Sequence, residues 1–229
     1  AGNLGTIDTK SPINAFSGTY GSWIAQLSLT GTLEWHTFIN GSTTSQASDV
    51  AVASDGSVFV VGYTSSNIAS IGGKSPVYSY VGNQDMLAFK LNSTGVLQWY
   101  TFLGGTGADS ASAIALSSDG FLYIGGPVTT GISNIAGLSV KNAHYGSGID
   151  CGTFKLSGST GVAAWGFYVG GSSLDWCADL TMSNDGGLAM AINDQSPSIS
   201  LNGVTPLLSE NTVSNSDGVI VKINGNGGF

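Results

Sequence analysis

Short apolar runs alternate with clusters of Gly, Asn, Asp and Ser along almost the whole chain. In the clearest stretch these runs cover residues 86–91, 96–103, 111–116 and 121–124. β-Branched and aromatic residues dominate the runs and turn residues bound them, so the pattern predicts four β-strands. The Asp119-Gly120 pair between the last two runs predicts a tight type I′ hairpin turn. Because helical periodicity does not appear, we expect an all-β fold.

The same pattern returns about every 65 residues, in steps of 64, 66 and 66. The positions on this grid are Gly31, Gly95, Gly161 and Gly227, then Trp35, Trp99 and Trp165, then the pairs Asp55-Gly56, Asp119-Gly120 and Asp185-Gly186. A fixed period of this kind indicates one supersecondary unit used repeatedly, with each copy packing on the next.

Four antiparallel strands in each tandem unit are typical of β-propeller blades. The sequence therefore predicts an all-β propeller of four-stranded antiparallel blades, with about three and a half repeats. We expect one continuous domain in which 1–43 is the C-terminal part of a blade with its preceding loop, 44–105 and 106–171 are blades, and 172–229 is an incomplete blade. The ring is then either part of a longer propeller or completed by strands of other subunits. Open blade edges are aggregation hazards, which favours the first alternative.

The middle copy also resembles a known repeat. The residues that carry the resemblance are Asp85, Leu91, Gly95, Trp99, the run Thr101-Phe102-Leu103-Gly104-Gly105, Asp109, Ile114-Ala115, Asp119-Gly120, Tyr123 and Gly126. On these residues the chain is similar to the SBBP-type β-propeller repeat of bacterial and archaeal surface or secreted proteins. The first copy departs from it, with Gly21 in the place of Asp85, Asn40 in the place of Gly104 and Ser45 in the place of Asp109. The resemblance implies a propeller and an extracytoplasmic setting, but no defined reaction.

The net charge of the chain limits the classes of partner that we expect it to bind. The chain has six basic residues, all Lys, against 14 acidic ones, for a net charge of −8. This balance argues against nucleic acids and anionic membranes as partners. No run reaches the ~18 to 20 apolar residues that a membrane-spanning helix needs. Since only 9% of residues are charged and hydroxyl side chains abound, we expect an extracellular or cell-surface protein.

Asp109 and Asp175 stand at matching positions before two small-residue strands. As weak ligand-site candidates they would form a ring of acids at a channel mouth and bind Ca²⁺ or a sugar. The alternative is a structural aspartate that caps a turn, and we favour it because Asp commonly closes turns in this way.

Two further sets of residues are candidates for sites. Trp23 and Trp176 lie off the repeat grid, so we consider them for a ligand-facing role, whereas the three tryptophans on the grid are expected to pack between blades. Glu34 and His36 share one face of a strand, either as an acid–base pair or, as we favour, as solvent-facing residues.

The two cysteines are too few for a disulfide framework and lack metal-ligand spacing. Cys151 opens the third strand of one predicted blade and Cys177 opens the first strand of the next. A disulfide between them and a pair of buried free thiols therefore both stay open. Asn40 and Asn92 begin Asn-x-Ser/Thr triplets on turns and are candidate glycosylation sites.

The chain contains no nucleophile elbow, phosphate loop or Cys-x-x-Cys motif. We therefore expect a structural or binding module without catalysis or cofactor. Its partners would be proteins, glycans or copies of itself through open blade edges. Two alternatives stay open, namely a subunit of a self-assembling extracellular filament or sheath and a polysaccharide-acting propeller enzyme with carboxylates at the channel mouth.

Overall fold

The structure is a computed structural model that describes residues 5–196, 199 and 217–228. Within these ranges every regular element is a β-strand and there is no helix. The described residues accordingly contain no helix with the length and apolar character of a membrane span. The prediction of an all-β chain is confirmed.

The thirteen strands of the described ranges form four antiparallel sheets, and in each sheet the spatial order follows the chain order. Sheet I contains β1 (Gly21–Leu27) and β2 (Leu33–Asn40). Sheet II contains β3 (Ser45–Val52), β4 (Val58–Thr64), β5 (Asp85–Leu91) and β6 (Leu97–Leu103). Sheet III contains β7 (Ala113–Leu116), β8 (Phe121–Val128), β9 (Asp150–Ser157) and β10 (Ala163–Val169). Sheet IV contains β11 (Asp175–Met182), β12 (Leu188–Asp194) and β13 (Asp217–Ile223). The four sheets thus contain two, four, four and three strands, respectively.

Asp-Gly turns join the first two strands of sheets II to IV. Their glycines have left-handed φ angles, with values of 79° at Gly56, 84° at Gly120 and 81° at Gly186. The preceding aspartates have no positive φ, so the expected type I′ turn, which needs two left-handed residues, is wrong. In the first of these turns the Gly56 N–H donates to the Ala53 carbonyl at 2.9 Å, and the Asp55 carboxylate accepts the Ser57 N–H at 2.8 Å. The turn is thus closed by one left-handed glycine and capped by the aspartate.

One tryptophan–glycine contact, repeated along the chain, packs each sheet on the next. A Cβ atom at Gly95 in sheet II would lie 2.6 Å from the Trp35 ring of sheet I, and at Gly161 in sheet III it would lie 2.8 Å from the Trp99 ring of sheet II. The same contact joins Trp165 to Gly227 at 3.4 Å. All three rings are buried, as expected for residues between repeats. The period of the sequence is therefore the spacing of the units that make this contact.

The apolar core lies between neighbouring sheets. Phe59 of β4, Ile124 of β8 and Phe154 of β9 belong to one buried cluster between sheets II and III. Ala113 of β7 and Met190 of β12 belong to the cluster between sheets III and IV. The small-residue strand β7 is an edge strand that contacts both β3 and β11, whereas the Trp strand β10 forms the opposite edge. Small side chains let the first strands of three sheets approach one another.

The long connections cover the outer edges of β6 and β10, the fourth strands of sheets II and III, and of β2, the equivalent strand of sheet I. In sheet II the Val77 N–H donates to the Tyr100 carbonyl at 2.9 Å. The Lys141 N–H makes the same bond to the Gly166 carbonyl in sheet III, and the Ile13 N–H to the His36 carbonyl in sheet I. Covering an edge in this way satisfies backbone groups that would otherwise pair with another chain.

Candidate functional site

A row of buried aspartates lies at one end of the sheets, where the first and third strands begin. In an antiparallel sheet these two strands start at the same end, and the registers Thr64↔Asp85 and Asp175↔Asp194 place the row there. Side chains at four of the positions are completely buried, namely Asp85, Asp109, Asp150 and Asp175. These aspartates recur at matching positions, at or just before the start of the first or third strand of successive sheets.

The predicted candidates Asp109 and Asp175 both accept backbone N–H groups, one from the turn before their strand and one from the residue that follows the second strand of the same sheet. Asp109 accepts the Gly105 N–H at 2.7 Å and the Thr129 N–H at 2.9 Å. Asp175 accepts the Gly171 N–H at 2.7 Å and the Gln195 N–H at 2.9 Å. The carboxylates thus join the fourth strand of one sheet to the first two strands of the next, which is the structural role favoured from sequence.

Ser45 performs the same task in the first repeat. Its hydroxyl accepts the Gly41 N–H at 3.2 Å and lies 2.9 Å from the Thr64 hydroxyl. A neutral side chain can therefore replace the aspartate, which indicates that the position needs a hydrogen-bond acceptor rather than a charge.

Asp85 and Asp150, which begin the third strands, were not recognised as special from the sequence. Each has one oxygen bound to a backbone N–H, from Val81 at 2.7 Å and from Tyr145 at 2.6 Å. The other oxygen of each is buried and makes no hydrogen bond within the described residues. The repeat pattern has an aspartate at both positions, but the pattern does not indicate that the side chain is buried.

Burial raises the pKa of Asp85 to about 7, against the lowering effect of the Val81 N–H and with a further increase from the negative charge of Asp109. Burial likewise raises the pKa of Asp150 to about 6, although the Tyr145 N–H and His144 lower it. The nearby Asp175 carboxylate raises the pKa of Asp150 further. A carboxyl group that is buried beside another acid prefers the neutral form.

The pKa of Asp175 itself is lowered. Burial raises it, but hydrogen bonds from Asp194, Ser196, Gln195 and Gly171 together have the larger, opposite effect. Of these two acids, Asp150 therefore holds its proton to a higher pH than Asp175 does.

The two glycines that follow β6 and β10 provide the space for these carboxyl groups. A Cβ atom at Gly104 would collide with the Asp85 carboxylate, and one at Gly170 would collide with the Asp150 carboxylate. Gly21 and Asn40 reverse this arrangement in sheet I, because a Cβ atom at Gly21 would lie 2.5 Å from the Cβ of Asn40. The first repeat therefore keeps one polar side chain in the same space but supplies it from the opposite strand.

The candidate glycosylation site Asn40 has its amide engaged. Its Nδ2 donates to the Ser17 carbonyl at 2.5 Å and to the Ser17 hydroxyl at 2.8 Å. Asn92 differs, since its Oδ1 accepts the Thr94 and Val96 N–H groups at 3.1 and 2.9 Å, while its Nδ2 donates no hydrogen bond to the part of the chain that the structure describes. In the equivalent turns of the other sheets, the hydrogen bonds within the turn are made by the side chains of Ser28, Ser157 and Asn224. The Asn-x-Thr triplet at Asn92 is therefore explained by the structure of the turn.

Trp23 is 46% exposed on β1, and its indole N–H donates to the Nδ1 of His36 at 3.2 Å. His36 is completely buried, with its Nε2 3.0 Å from the Lys10 carbonyl, so the expectation that it faces solvent is wrong. Glu34 is exposed. The connection loop covers the outer strand at His36 but not at Glu34, which the strand pattern alone did not indicate.

A groove of about 750 Å³ opens between β1 and the neighbouring strand β3. Its lining includes Trp23, Leu27, Trp35, Val50, Val52 and Val58. Trp176, the second off-grid tryptophan, is half-buried on β11 of sheet IV. The two predicted aromatic candidates therefore lie on different sheets and do not form one site.

Cys151 and Cys177 form a disulfide, one of the two alternatives left open by the sequence. Their Cα atoms are 4.8 Å apart, and both residues are completely buried. The bridge joins β9 of sheet III to β11 of sheet IV. Disulfides persist in oxidising compartments, so this bond is compatible with an extracellular location.

Within the described ranges, no three His, Cys, Asp or Glu side chains are grouped so as to hold a metal ion. Two further acids of sheet IV also bind locally, with Asp179 accepting the Leu180 N–H and Asp194 accepting the Ser196 N–H, both at 2.8 Å. No family model and no curated protein matches the chain.

Proposed function

We propose that this chain is a β-propeller segment that acts as a structural or binding module outside the cell or at its surface. The observation that carries the proposal is the use of Asp109 and Asp175. Both are buried and bound to backbone amides in successive repeats. Acids placed in this way stabilise a scaffold, whereas catalytic carboxylates must reach a substrate.

Two features support the propeller architecture. The Trp–Gly contact recurs between consecutive sheets, and the first strands β3, β7 and β11 lie next to one another. Sheets that converge at their first strands and carry their bulkiest residues at the opposite edge suit radial packing. The resemblance to the SBBP-type repeat favours the same arrangement.

The disulfide and the charge balance support the extracellular setting. A bridge that joins two sheets is stable where thiols are not kept reduced. A chain with 14 acids and six lysines is suited neither to nucleic acids nor to anionic lipids. We expect proteins or glycans as partners.

The long connections are the surfaces we assign to such partners. Tyr20 and Tyr145 lie in equivalent connections, just before β1 and β9, and are 60% and 52% exposed. Exposed tyrosines combine an apolar ring with a polar hydroxyl, which suits contacts with sugars and with protein surfaces. Loops held by a rigid scaffold commonly carry binding.

The test is a panel of soluble polysaccharides examined for binding and for new reducing ends in the same samples. We expect retention in affinity electrophoresis for a subset of the glycans, without release of reducing ends. Tyr20→Ala and Tyr145→Ala should weaken retention, whereas Val162→Ala, at an exposed turn of sheet III, should not. New reducing ends that vanish in Asp179→Asn would support the polysaccharide-acting enzyme instead.

A further inference from the structure

A pair of buried aspartates lies at the junction of sheets II and III, and a second pair lies at the junction of sheets III and IV. The first pair is Asp85 with Asp109, and the second is Asp150 with Asp175. The Asp109 N–H donates to the carbonyl of Gln84, which precedes Asp85, at 2.8 Å. The Asp175 N–H makes the equivalent bond at the second junction, at 2.6 Å. A backbone bond therefore holds each pair together, and all four side chains are completely buried.

Within each pair one carboxyl group is fully engaged and the other is not. Both oxygens of Asp109 accept backbone N–H groups, whereas Oδ1 of Asp85 makes no hydrogen bond to the described residues. At the second junction, a Cβ atom at Gly170 would collide with the equally unpartnered Oδ1 of Asp150 and would lie 3.0 Å from Oδ2 of Asp175. The unpartnered oxygen thus borders the same small space as the second carboxyl group of its pair.

No positive side chain neutralises the pair at the junction of sheets II and III. Neither a lysine nor a histidine of the described residues forms an ion pair with Asp85 or Asp109. The negative charges of these two acids raise the pKa of nearby phenols, Tyr80 beside Asp85 and Tyr168 beside Asp109. Tyrosine is neutral below about pH 10, so neither phenol supplies a counter-charge. A buried acid in such surroundings takes up a proton rather than staying charged.

The junction of sheets I and II lacks both acids. Gly21 stands at the position of Asp85, and Ser45 stands at the position of Asp109. If each aspartate only capped a turn, either one could remain without the other. Their joint replacement indicates that the two acids act as a pair, and it leaves this junction as a neutral counterpart within the same molecule.

We propose that Asp85 and Asp109 form a proton-dependent clasp that joins sheet II to sheet III. One proton on the pair turns Oδ1 of Asp85 from an acceptor without a partner into a donor beside the Asp109 carboxylate. Loss of that proton leaves two negative charges in a space that is closed to water, and the junction opens locally. The neutral junction of sheets I and II stays closed over the same pH range. A clasp of this kind is independent of what the connections bind.

The clasp is strongest in acid. Burial raises the pKa of Asp85 from 3.8 to about 7, so the closed junction holds a proton that the open junction releases. The opening equilibrium should therefore increase as the pH rises from about 4 to 7, by up to about tenfold per pH unit, and then level off.

Hydrogen exchange of single backbone amides, followed by NMR between pH 4.5 and 8, reports on the two junctions separately. The Val81 and Gly105 N–H groups bond to the two carboxyl groups of the clasp. The Gly41 N–H bonds to the hydroxyl of Ser45 at the neutral junction. After correction for the intrinsic effect of pH on exchange, protection at Val81 and Gly105 should fall by up to about tenfold per pH unit. Protection at Gly41 should stay constant.

Asp85→Asn removes one charge and keeps a side chain of the same shape. In this variant protection at Gly105 should no longer depend on pH, and at pH 8 it should exceed that of the unmodified protein. Asp55→Asn is the matched control, because Asp55 is an exposed aspartate in a turn of the same sheet, and it should change nothing. Circular dichroism establishes that each variant is folded. Asp109→Asn, which removes the other charge, replaces Asp85→Asn if that variant unfolds.

Protection at Val81 and Gly105 that does not change with pH overturns the clasp. An equal fall at Gly41 also overturns it, since the proton would then act on the whole fold and not on one junction. Millimolar Ca²⁺ at pH 8 is the last arm of the experiment. If it restores the protection seen in acid, the pair holds a cation rather than a proton, and the inference is wrong. The glycan-binding measurement tests the proposed function separately.

Discussion

At the scale of the residue, the exchange between Gly21 and Asn40 shows how one space accepts a side chain from either strand. In sheets II and III the third strand supplies an aspartate, and a glycine on the fourth strand leaves room for it. In sheet I the fourth strand supplies Asn40 and the third strand supplies the glycine. The residue that fits at one of these two positions therefore depends on the residue at the other.

Gly21→Asp and Asn40→Gly should consequently be strongly non-additive. Gly21→Asp alone forces a carboxyl group against Asn40 and should lower the free energy of unfolding by about 2 kcal/mol. Asn40→Gly alone removes the two bonds to Ser17 and should cost about 1 kcal/mol. The double variant, which restores the arrangement of sheets II and III, should be more stable than Gly21→Asp alone.

Urea unfolding of the four proteins measures this coupling as a double-mutant cycle. Additive effects would show that the two positions do not share a space.

Asp85 should make stability depend on pH. Its folded pKa of about 7 exceeds the ordinary value of 3.8, so the folded state binds a proton that the unfolded state releases. Stability should fall as pH rises from about 4 to 7, by up to about 1.4 kcal/mol per pH unit, and then level off. The raised pKa of Asp150, about 6, acts in the same direction over a narrower range.

Asp85→Asn should reduce this loss and make the protein more stable than the unmodified chain at pH 8, because the amide carries no charge to bury. Urea unfolding at pH 4.5, 6 and 8 measures the slope. Asp119→Asn is the control, since hydrogen bonding from Ser117 lowers the pKa of that exposed aspartate and it titrates below this range. An unchanged slope in Asp85→Asn would contradict the assignment.

At the scale of the element, the turn between the third and fourth strands both ends a hairpin and receives a tryptophan. Gly31 and Gly95 have the same left-handed φ, 80° and 79°. The Trp35 ring lies against Gly95, whereas no atom of the described residues lies within 4 Å of a Cβ built at Gly31. Glycine is therefore needed at position 31 for the backbone angle alone, and at position 95 for both the backbone angle and the contact with Trp35.

Gly95→Ala should lower the free energy of unfolding clearly more than Gly31→Ala. The left-handed φ alone costs an alanine about 1 kcal/mol at either position. The collision with Trp35 should add about 1 to 3 kcal/mol at Gly95 only. Thermal and urea unfolding of the two variants give the difference, and equal losses would show that the tryptophan contact contributes little.

At the scale of the whole molecule, the disulfide links sheets III and IV covalently, in addition to the apolar cluster that they share. It restricts the unfolded chain over a separation of 26 residues. Cys151→Ala combined with Cys177→Ala should lower the free energy of unfolding by about 3 kcal/mol.

Reductant should reproduce this loss in the unmodified protein and have no effect on the double variant. Urea unfolding with and without reductant provides the measurement. Two reactive thiols in the unfolded, unreduced protein would instead show that the bridge does not form.

The strands and their period could be predicted from the sequence alone. These follow from local alternation, from turn residues and from the recurrence of Trp35, Trp99 and Trp165, all of which are readable along one chain. The backbone angles of the Asp-Gly turns were not readable in this way, because an Asp-Gly pair fits more than one turn type.

Which polar residues are buried, and what they contact, depends on the packing of distant parts of the chain. The pKa values of Asp85 and Asp150 are raised because neighbouring sheets and loops exclude water from them, and His36 is buried by a distant connection rather than by its own strand. Cys151 and Cys177 met because two sheets pack face to face. Burial and pairing depend on residues far apart in sequence, so a local pattern carries no record of them.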